Sequence, residues 1–178
     1  MANKSNDGLT AIIGGAGFLG TSLSNLLSKS DLDYVICDLN TTSPSAEIFE
    51  INIEDRATFS CISKATAIIN LAAVHRDDIR PLSRYDDVNV QGSINVCNAA
   101  RKHGINKIIF TSSVAIYGFA PANTDESGKA NYFNDYGRTK YLAEQVYKEW
   151  HAEDPENRTL VIVRPTVIFG GGNRGNVY

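Results

Sequence analysis

The stretch AIIGGAGFLG, residues 11–20, decides how the chain folds. It sets Gly14, Gly15, Gly17 and Gly20 directly behind a short β-branched run. Glycine gives up more conformational freedom on folding than any other residue, so a cluster of this density needs a reason. Gly14, Gly17 and Gly20 form a GxxGxxG pattern. The residues behind it recur at helical spacing, with Phe18, Leu19, Leu23, Leu26 and Leu27 on one apolar face. A strand, a glycine turn and a helix start, in that order, let the backbone come close to an anion. The free N–H groups and positive dipole end of the helix can then hold it.

The next apolar run ends YVICDLN and places Asp38 18 residues past Gly20. At that spacing a carboxylate can accept from the ribose hydroxyls of a dinucleotide. No Arg or Lys stands within Leu39–Pro44 to neutralise a 2′-phosphate, which selects NAD over NADP.

The rest of the chain repeats the strand–helix alternation. Expected strands are Thr10–Ile13, Tyr34–Asp38, Ile48–Asn52, Ala67–Leu71, Lys107–Ser112 and Thr159–Arg164. Most are apolar on both faces, which fits strands covered by helices on both sides. Expected helices are Phe18–Lys29, Arg56–Lys64, Asp87–His103 and Asp135–Glu153, the last with Tyr141, Leu142, Val146 and Trp150 on its apolar face. Pro121–Asn134 is polar and reads as a loop. This order implies right-handed crossovers and an α/β, Rossmann-type doubly wound parallel sheet with helices on both faces. Ligands of such sheets bind outside the carboxyl ends of the strands.

Composition narrows the class. The chain has 178 residues, enough for one domain, here taken as residues 9–178 behind a flexible segment 1–8. A net charge of −3 gives no footprint for nucleic acid or an anionic membrane. No apolar run approaches the roughly 20 residues of a membrane span. The polar start MANKSNDGLT has no signal-peptide core, so the expected location is cytoplasmic. Cys37, Cys61 and Cys97 are scattered and odd in number, which argues for reduced thiols rather than disulfides or a metal knuckle. His75, His103 and His151 lack partners at metal spacing, so no metal is expected.

A second constellation follows the first. YGRTK places Tyr136 and Lys140 at i, i+4 on one helix face. An ordinary tyrosine, with a pKa of about 10, is a poor base at neutral pH, and a nearby ammonium favours its phenolate. The fifth strand ends IIFTSSVAIYG, setting Ser112 and Ser113 on the ligand side of the sheet. A hydroxyl there can bond a substrate oxygen and help pass a proton to Tyr136.

These pieces together resemble the extended short-chain dehydrogenase/reductase family, in its NAD-dependent sugar-nucleotide epimerase/dehydratase group. The resemblance runs from Thr10 to Gly170 and rests on GGAGFLG, Asp38, NLAA (70–73), NVQGS (89–93), SSVAIYG, YGRTK and RPTVIFG (164–170). It implies that Gly14, Gly17, Phe18 and Leu19 line the pyrophosphate and that Asp38 holds the adenosine ribose. Asn52 and Ile53 lie beside adenine, Asn52 standing where the family usually has Asp. Leu71, Ala72 and Ala73 pass under the middle of the cofactor, and Asn89 braces them. Ser112 is counted among the cofactor-binding residues, and Ser113 takes the place of the catalytic Ser/Thr. Tyr136 is the implied acid/base, and Lys140 the residue that binds the nicotinamide ribose and tunes it. Pro165 and Val167 lie by the nicotinamide and the substrate nucleotide. Many members have Asn at the Val167 position; valine cannot hydrogen-bond.

The implied reaction is epimerisation of a nucleotide sugar: hydride abstraction and return through NAD, with tyrosine as acid/base. Relatives that dehydrate carry an Asp–Glu pair after the catalytic hydroxyl residue, and decarboxylating ones usually keep a Glu. Here Val114 and Ala115 offer no ionisable group, which disfavours both. An NAD(P)-dependent reductase of a nucleotide sugar or other small carbonyl compound stays open, as does a non-catalytic dinucleotide-binding module. Members continue well past this length, so the substrate lobe at the C-terminal end is expected to be largely absent. The resemblance also implies a homodimer through a four-helix bundle of the third and fourth helices, with Val96 and Tyr147 facing outward.

Overall fold

The computed structural model describes residues 8–42, 47–76 and 78–171. Most of the segment expected to be flexible, Asp77, Pro44 and the tail from 172 onward lie outside the described residues.

Among the described residues, six strands make one parallel sheet in the order β3-β2-β1-β4-β5-β6. They are β1 (Leu9–Ile13), β2 (Tyr34–Asp38), β3 (Ile48–Glu50), β4 (Ala65–Asn70), β5 (Lys107–Thr111) and β6 (Thr159–Val163). Each expected strand is present, with ends shifted by no more than two residues. The order reverses between β1 and β4, which opens a crevice above their carboxyl ends.

Right-handed crossovers decide which helix covers which face. The α1 helix (Phe18–Leu27) joins β1 to β2 and lies on one side, where the Tyr34 hydroxyl donates to the Ser24 carbonyl at 3.1 Å. The other side carries a 3-10 helix (Arg56–Ile62), α3 (Gly92–His103) and α4 (Asp135–Ala152). Strand side chains alternate between the two faces. Ala11, Ile13, Cys37, Ile68, Ile108 and Phe110 join Val96, Ala100, Tyr147 and Trp150 in the main core.

Coverage is uneven. Among the described residues α1 lies over the second face; Leu26, expected on its apolar side, is 66% exposed, and Val161 and Val163 of β6 are each 44% exposed. The expected helices on both faces are present, with α1 on one side and α3 and α4 on the other. The expected helix Arg56–Lys64 is a tighter 3-10 helix. The expected helix Asp87–His103 begins earlier, as α2 (Ser83–Tyr85), and passes through a π segment (Asp86–Gln91) before α3.

The apolar face of α4 is also rotated from its expected place. Its buried side carries Lys140, Ala143, Glu144, Tyr147 and Trp150, with Val146 packed at the edge and Tyr141 and Leu142 half-buried. Val96 and Tyr147, expected outside, are completely buried. Tyr147 packs on Phe110, with ring centroids 4.4 Å apart, and its hydroxyl accepts from Asn70 at 2.7 Å. Neither can line a helix-bundle interface.

Candidate active site

The glycine loop leaves β1 with Gly14 at φ +77°, a left-handed conformation that disfavours a side chain. A Cβ on Gly14 would also meet the Ala72 backbone nitrogen at 2.6 Å. Gly14 therefore lets the end of β1 press against the end of β4. Gly20 does the same for the helix, since a Cβ there would lie 2.4 Å from the Gly15 backbone. Gly17 differs. It is exposed, and a Cβ on it would meet nothing closer than the Gly14 carbonyl at 3.4 Å. As the N-cap of α1 it offers no side chain to bond the first-turn N–H groups. Two glycines close the turn, and the third leaves the helix start open to an anion. Phe18 lies beneath Gly170, and Leu19 is half-buried beside it.

Asp38 ends β2 facing this loop. Its carboxylate accepts from the Ala16 N–H at 2.9 Å and from the Asn40 N–H at 3.0 Å, which fix its orientation and leave lone pairs for further donors. Asn52 accepts from the Glu54 N–H at 3.0 Å, shaping the turn after β3 and leaving its own amide donors for an adenine edge. Ile53 is packed into the core, so its side chain faces away from solvent.

The residues after β4 are held from two sides. Asn70 is buried and accepts from the Ala72 N–H at 3.1 Å. Asn89, inside the π segment, clasps Val74: it accepts from the Val74 N–H at 2.8 Å and donates to the Val74 carbonyl at 3.0 Å. It also donates to the Thr139 hydroxyl at 3.0 Å, tying this strip to α4. Leu71, Ala72 and Ala73 are thereby fixed, half-buried, between β1 and α4.

Beyond β5 the chain turns through a 3-10 segment (Val114–Tyr117) capped by Ser113, whose hydroxyl accepts from the Ala115 N–H at 3.1 Å. The N-terminal turn of α4 lies against this segment. Asn134 caps α4 by accepting from the Gly137 N–H at 2.8 Å. A Cβ on Gly137 would lie 2.4 Å from the Ala115 carbonyl, so only glycine allows so close an approach. That contact brings Tyr136 beside Ser113, whose hydroxyl acts on the phenol. Pro165, after β6, accepts from the Val114 N–H at 3.1 Å. Val167 is 48% exposed. Ser112 is buried and faces Glu144 rather than the crevice.

Electrostatics differ from the simple expectation for Tyr136. Burial raises its pKa, opposed by the neighbouring Ser113 hydroxyl, so in this chain the phenol is held protonated. Lys140 is fully buried, its ammonium 4.4 Å from the centre of the Phe110 ring. Burial lowers it to about 7, opposed by Glu144.

Sequence reasoning missed the supporting residues Asn70, Thr139, Gly137, Glu144 and Tyr117, and the role of Arg164. Glu144 was findable, standing one turn past Lys140 in YGRTKYLAE. Among the described residues no group of His, Cys, Asp or Glu could hold a metal ion, and Cys37, Cys61 and Cys97 are free thiols. No helix among them is long and apolar enough to cross a membrane.

A sequence profile of the NAD dependent epimerase/dehydratase family matches residues 10–177. The chain belongs to this family. Among curated epimerase/dehydratase-family relatives, it is 45% identical to the N-acetyl-alpha-D-glucosaminyl-diphospho-ditrans,octacis-undecaprenol 4-epimerase of Escherichia coli O157:H7, covering 94% of this chain and 51% of that protein. It is 29% identical to the UDP-glucose 4-epimerase of Bacillus subtilis (strain 168), covering 93% of this chain and 54% of the relative. The chain thus spans about half the length of these relatives. The crystal structure of the Brucella ovis UDP-glucose 4-epimerase in complex with NAD superposes with a TM-score of 0.79 at 28% identity, covering 88% of this chain and 51% of that one. The epimerase/dehydratase fold is therefore shared across the described sheet.

Proposed function

We propose that the full protein is an NAD-dependent 4-epimerase of a sugar carried on a diphosphate, in first reading a nucleotide sugar, and that it works in the cytoplasm. The observation that carries this is the Ser113–Tyr136 contact above the carboxyl ends of the sheet, with Lys140 one turn behind and the open Gly17 turn beside it. Support comes from the relatives, whose names are those of 4-epimerases.

The residues present fit NAD. Gly14 and Gly17 admit the pyrophosphate, Asp38 the adenosine ribose and Asn52 the adenine edge. Leu71, Ala72 and Ala73 form the floor, with Pro165 near the nicotinamide end. When bound, NAD supplies the hydride acceptor and donor, and positive charge beside Tyr136. Tyr136 takes the proton from the sugar 4-hydroxyl and later gives it back, with Ser113 bonding the same oxygen. General acid–base help of this kind is worth about 10²- to 10⁴-fold. Lys140 holds the nicotinamide ribose. Val114 and Ala115 leave no acid to eliminate water, which supports epimerisation over dehydration.

A second reading concerns the carrier. The 45% identical relative is named for an undecaprenyl-diphosphate-linked sugar, whereas the 29% identical one is named for a UDP-sugar. Exposed Val167 has no hydrogen-bonding group for a nucleotide base. Both favour a polyprenyl diphosphate. Homodimer formation is kept as a proposal, through the outer surfaces of α3 and α4 and without Val96 or Tyr147.

The test uses the full-length enzyme with UDP-N-acetylglucosamine and with N-acetylglucosamine on a short polyprenyl diphosphate, following the C4 configuration by NMR. Epimerisation of either carrier without net change in NADH supports the reading. Stoichiometric consumption of NADH would instead establish a reductase. Tyr136→Phe is expected to lose at least about 10²-fold in kcat while still binding NAD. Unchanged turnover would remove Tyr136 from the chemistry and a non-catalytic module would be the better account if wild type converts nothing.

A further inference from the structure

Helix α4 buries two ionisable side chains one turn apart, Lys140 and Glu144. Taking a carboxylate out of water costs several kcal/mol unless it is paired and hydrogen-bonded. Glu144 is paired. Arg164, the residue after β6, grips it with one edge of its guanidinium, Nε at 2.8 Å and Nη2 at 2.7 Å. Lys148 adds a more distant cation at 3.5 Å. Burial pushes the Glu144 carboxyl up, but Arg164, Ser112 and Lys148 outweigh it and hold the group below its usual value, hence ionised.

The same guanidinium reaches the loop that carries Ser113. It lies over the Tyr117 ring, 5.3 Å from its centre, donates to the Tyr117 hydroxyl, and donates to the Glu126 carbonyl at 2.9 Å. One Glu–Arg pair therefore joins α4, the exit of β6 and the end of the Ser113 turn. Those three elements supply Tyr136 and Lys140, Pro165 and Ser113.

Lys140 is faced by few groups. From its own helix comes Glu144, and from β5 the Phe110 ring. Arg164 and Lys148 act on it only through Glu144. Tyr147 lies across the Phe110 ring, its phenol pushed up and kept neutral chiefly by burial. Glu144 is thus the anion that opposes loss of the Lys140 proton.

We propose that Glu144, clamped by Arg164, is a positioning residue whose carboxylate favours the charged form of Lys140 and which holds α4 against the Ser113 turn. The inference rests on the reading of Lys140 as a cofactor-binding residue. It adds a salt-bridged support whose effect is electrostatic as well as structural.

The experiment measures NAD affinity of the full-length protein by calorimetry from pH 6 to 9, for wild type, Glu144→Gln, Glu144→Asp and Arg164→Lys. Wild type should lose affinity as pH rises through the Lys140 transition. In Glu144→Gln that fall should come about one pH unit earlier, which is about fivefold in affinity at the wild-type midpoint and about tenfold well above it. Glu144→Asp, which keeps the charge, should restore most of the wild-type position. Arg164→Lys, keeping one cation but losing the fork, should fall between. Thermal melts at each pH report folding separately. An unshifted pH dependence in a folded Glu144→Gln overturns the proposal, even if affinity drops uniformly. Sugar turnover is read in parallel: a shifted NAD limb in an enzyme that epimerises nothing keeps the role of Glu144 and removes the epimerase reading.

Discussion

Lys140 shows how a residue that reads as ordinary in sequence becomes costly in place. An i, i+4 Tyr–Lys pair on a helix is common on surfaces, yet here the lysine is completely enclosed. Enclosure lowers its pKa to about 7, so folding bears the full cost of a buried ammonium only below that pH. The sign follows from proton counts. Below pH 7 folded and unfolded chains both carry the proton. Between 7 and about 10.4 the unfolded chain keeps it and the folded chain has released it, so this group makes the fold more stable as pH rises, by up to about 1.4 kcal/mol per pH unit. Lys140→Met removes the ammonium and keeps an unbranched side chain. It is expected to raise stability clearly at pH 6 and much less at pH 9, read from urea midpoints. An equal gain at both pH values would mean that Lys140 is not a desolvated cation. Tyr136 is the counterpart at this scale. Its i, i+4 spacing to a lysine suggests a lowered pKa, but burial dominates and raises it, because Lys140 gives its charge to Phe110 and Glu144 rather than to the phenol.

Strands were legible because buried parallel strands are short apolar runs, and turns bound them sharply. The glycine turn was legible because backbone requirements at Gly14 and Gly20 leave few residue choices, and Asp38 because it stands at the sharp end of a strand. Helix faces were harder. On α4 the inward stripe contains Lys140 and Glu144, so apolar periodicity alone rotates the face toward Tyr141 and Leu142 and turns Tyr147 outward. Glu144 is inside because Arg164 satisfies it, Lys140 is enclosed one turn before it against the Phe110 ring, and hydrophobicity carries no trace of either. The π segment was equally silent, since its extra residue changes register without changing composition. Its consequence is Asn89, which satisfies both backbone groups of Val74 and reaches Thr139. Asn89→Ala leaves those buried groups without partners and is expected to cost about 1–3 kcal/mol. Equilibrium urea unfolding measures it, and Thr139→Val in the same background should cost less than it does alone. Full additivity would show that the two residues do not act as one bridge.

At the scale of the whole molecule, the site is a product of strand order. Because the sheet reverses between β1 and β4, the carboxyl ends of β2, β1, β4, β5 and β6 deliver their loops along one crevice in that sequence. Asp38 lies toward one end, Gly17 and the start of α1 near the reversal, and Ser113 and Pro165 toward the other. In the proposed reading an extended dinucleotide runs along that row with its adenosine at β2 and its nicotinamide toward β5 and β6. The same layout argues for selectivity. The Asp38 carboxylate is held in place by two N–H donors, and residues 39–46 contain no Arg or Lys. A 2′-phosphate at this position would meet an anion with no compensating cation. NAD at about a hundred times its Kd should stabilise the fold by about 2.7 kcal/mol, while NADP at the same concentration should give a much smaller rise in melting temperature. Asp38→Ala removes both the ribose acceptor and the repulsion, so it should weaken NAD and narrow the gap between the two. Differential scanning fluorimetry of wild type and Asp38→Ala with each nucleotide decides the point. A wild-type shift with NADP equal to that with NAD would place the adenosine ribose away from Asp38 and undo the orientation along the crevice.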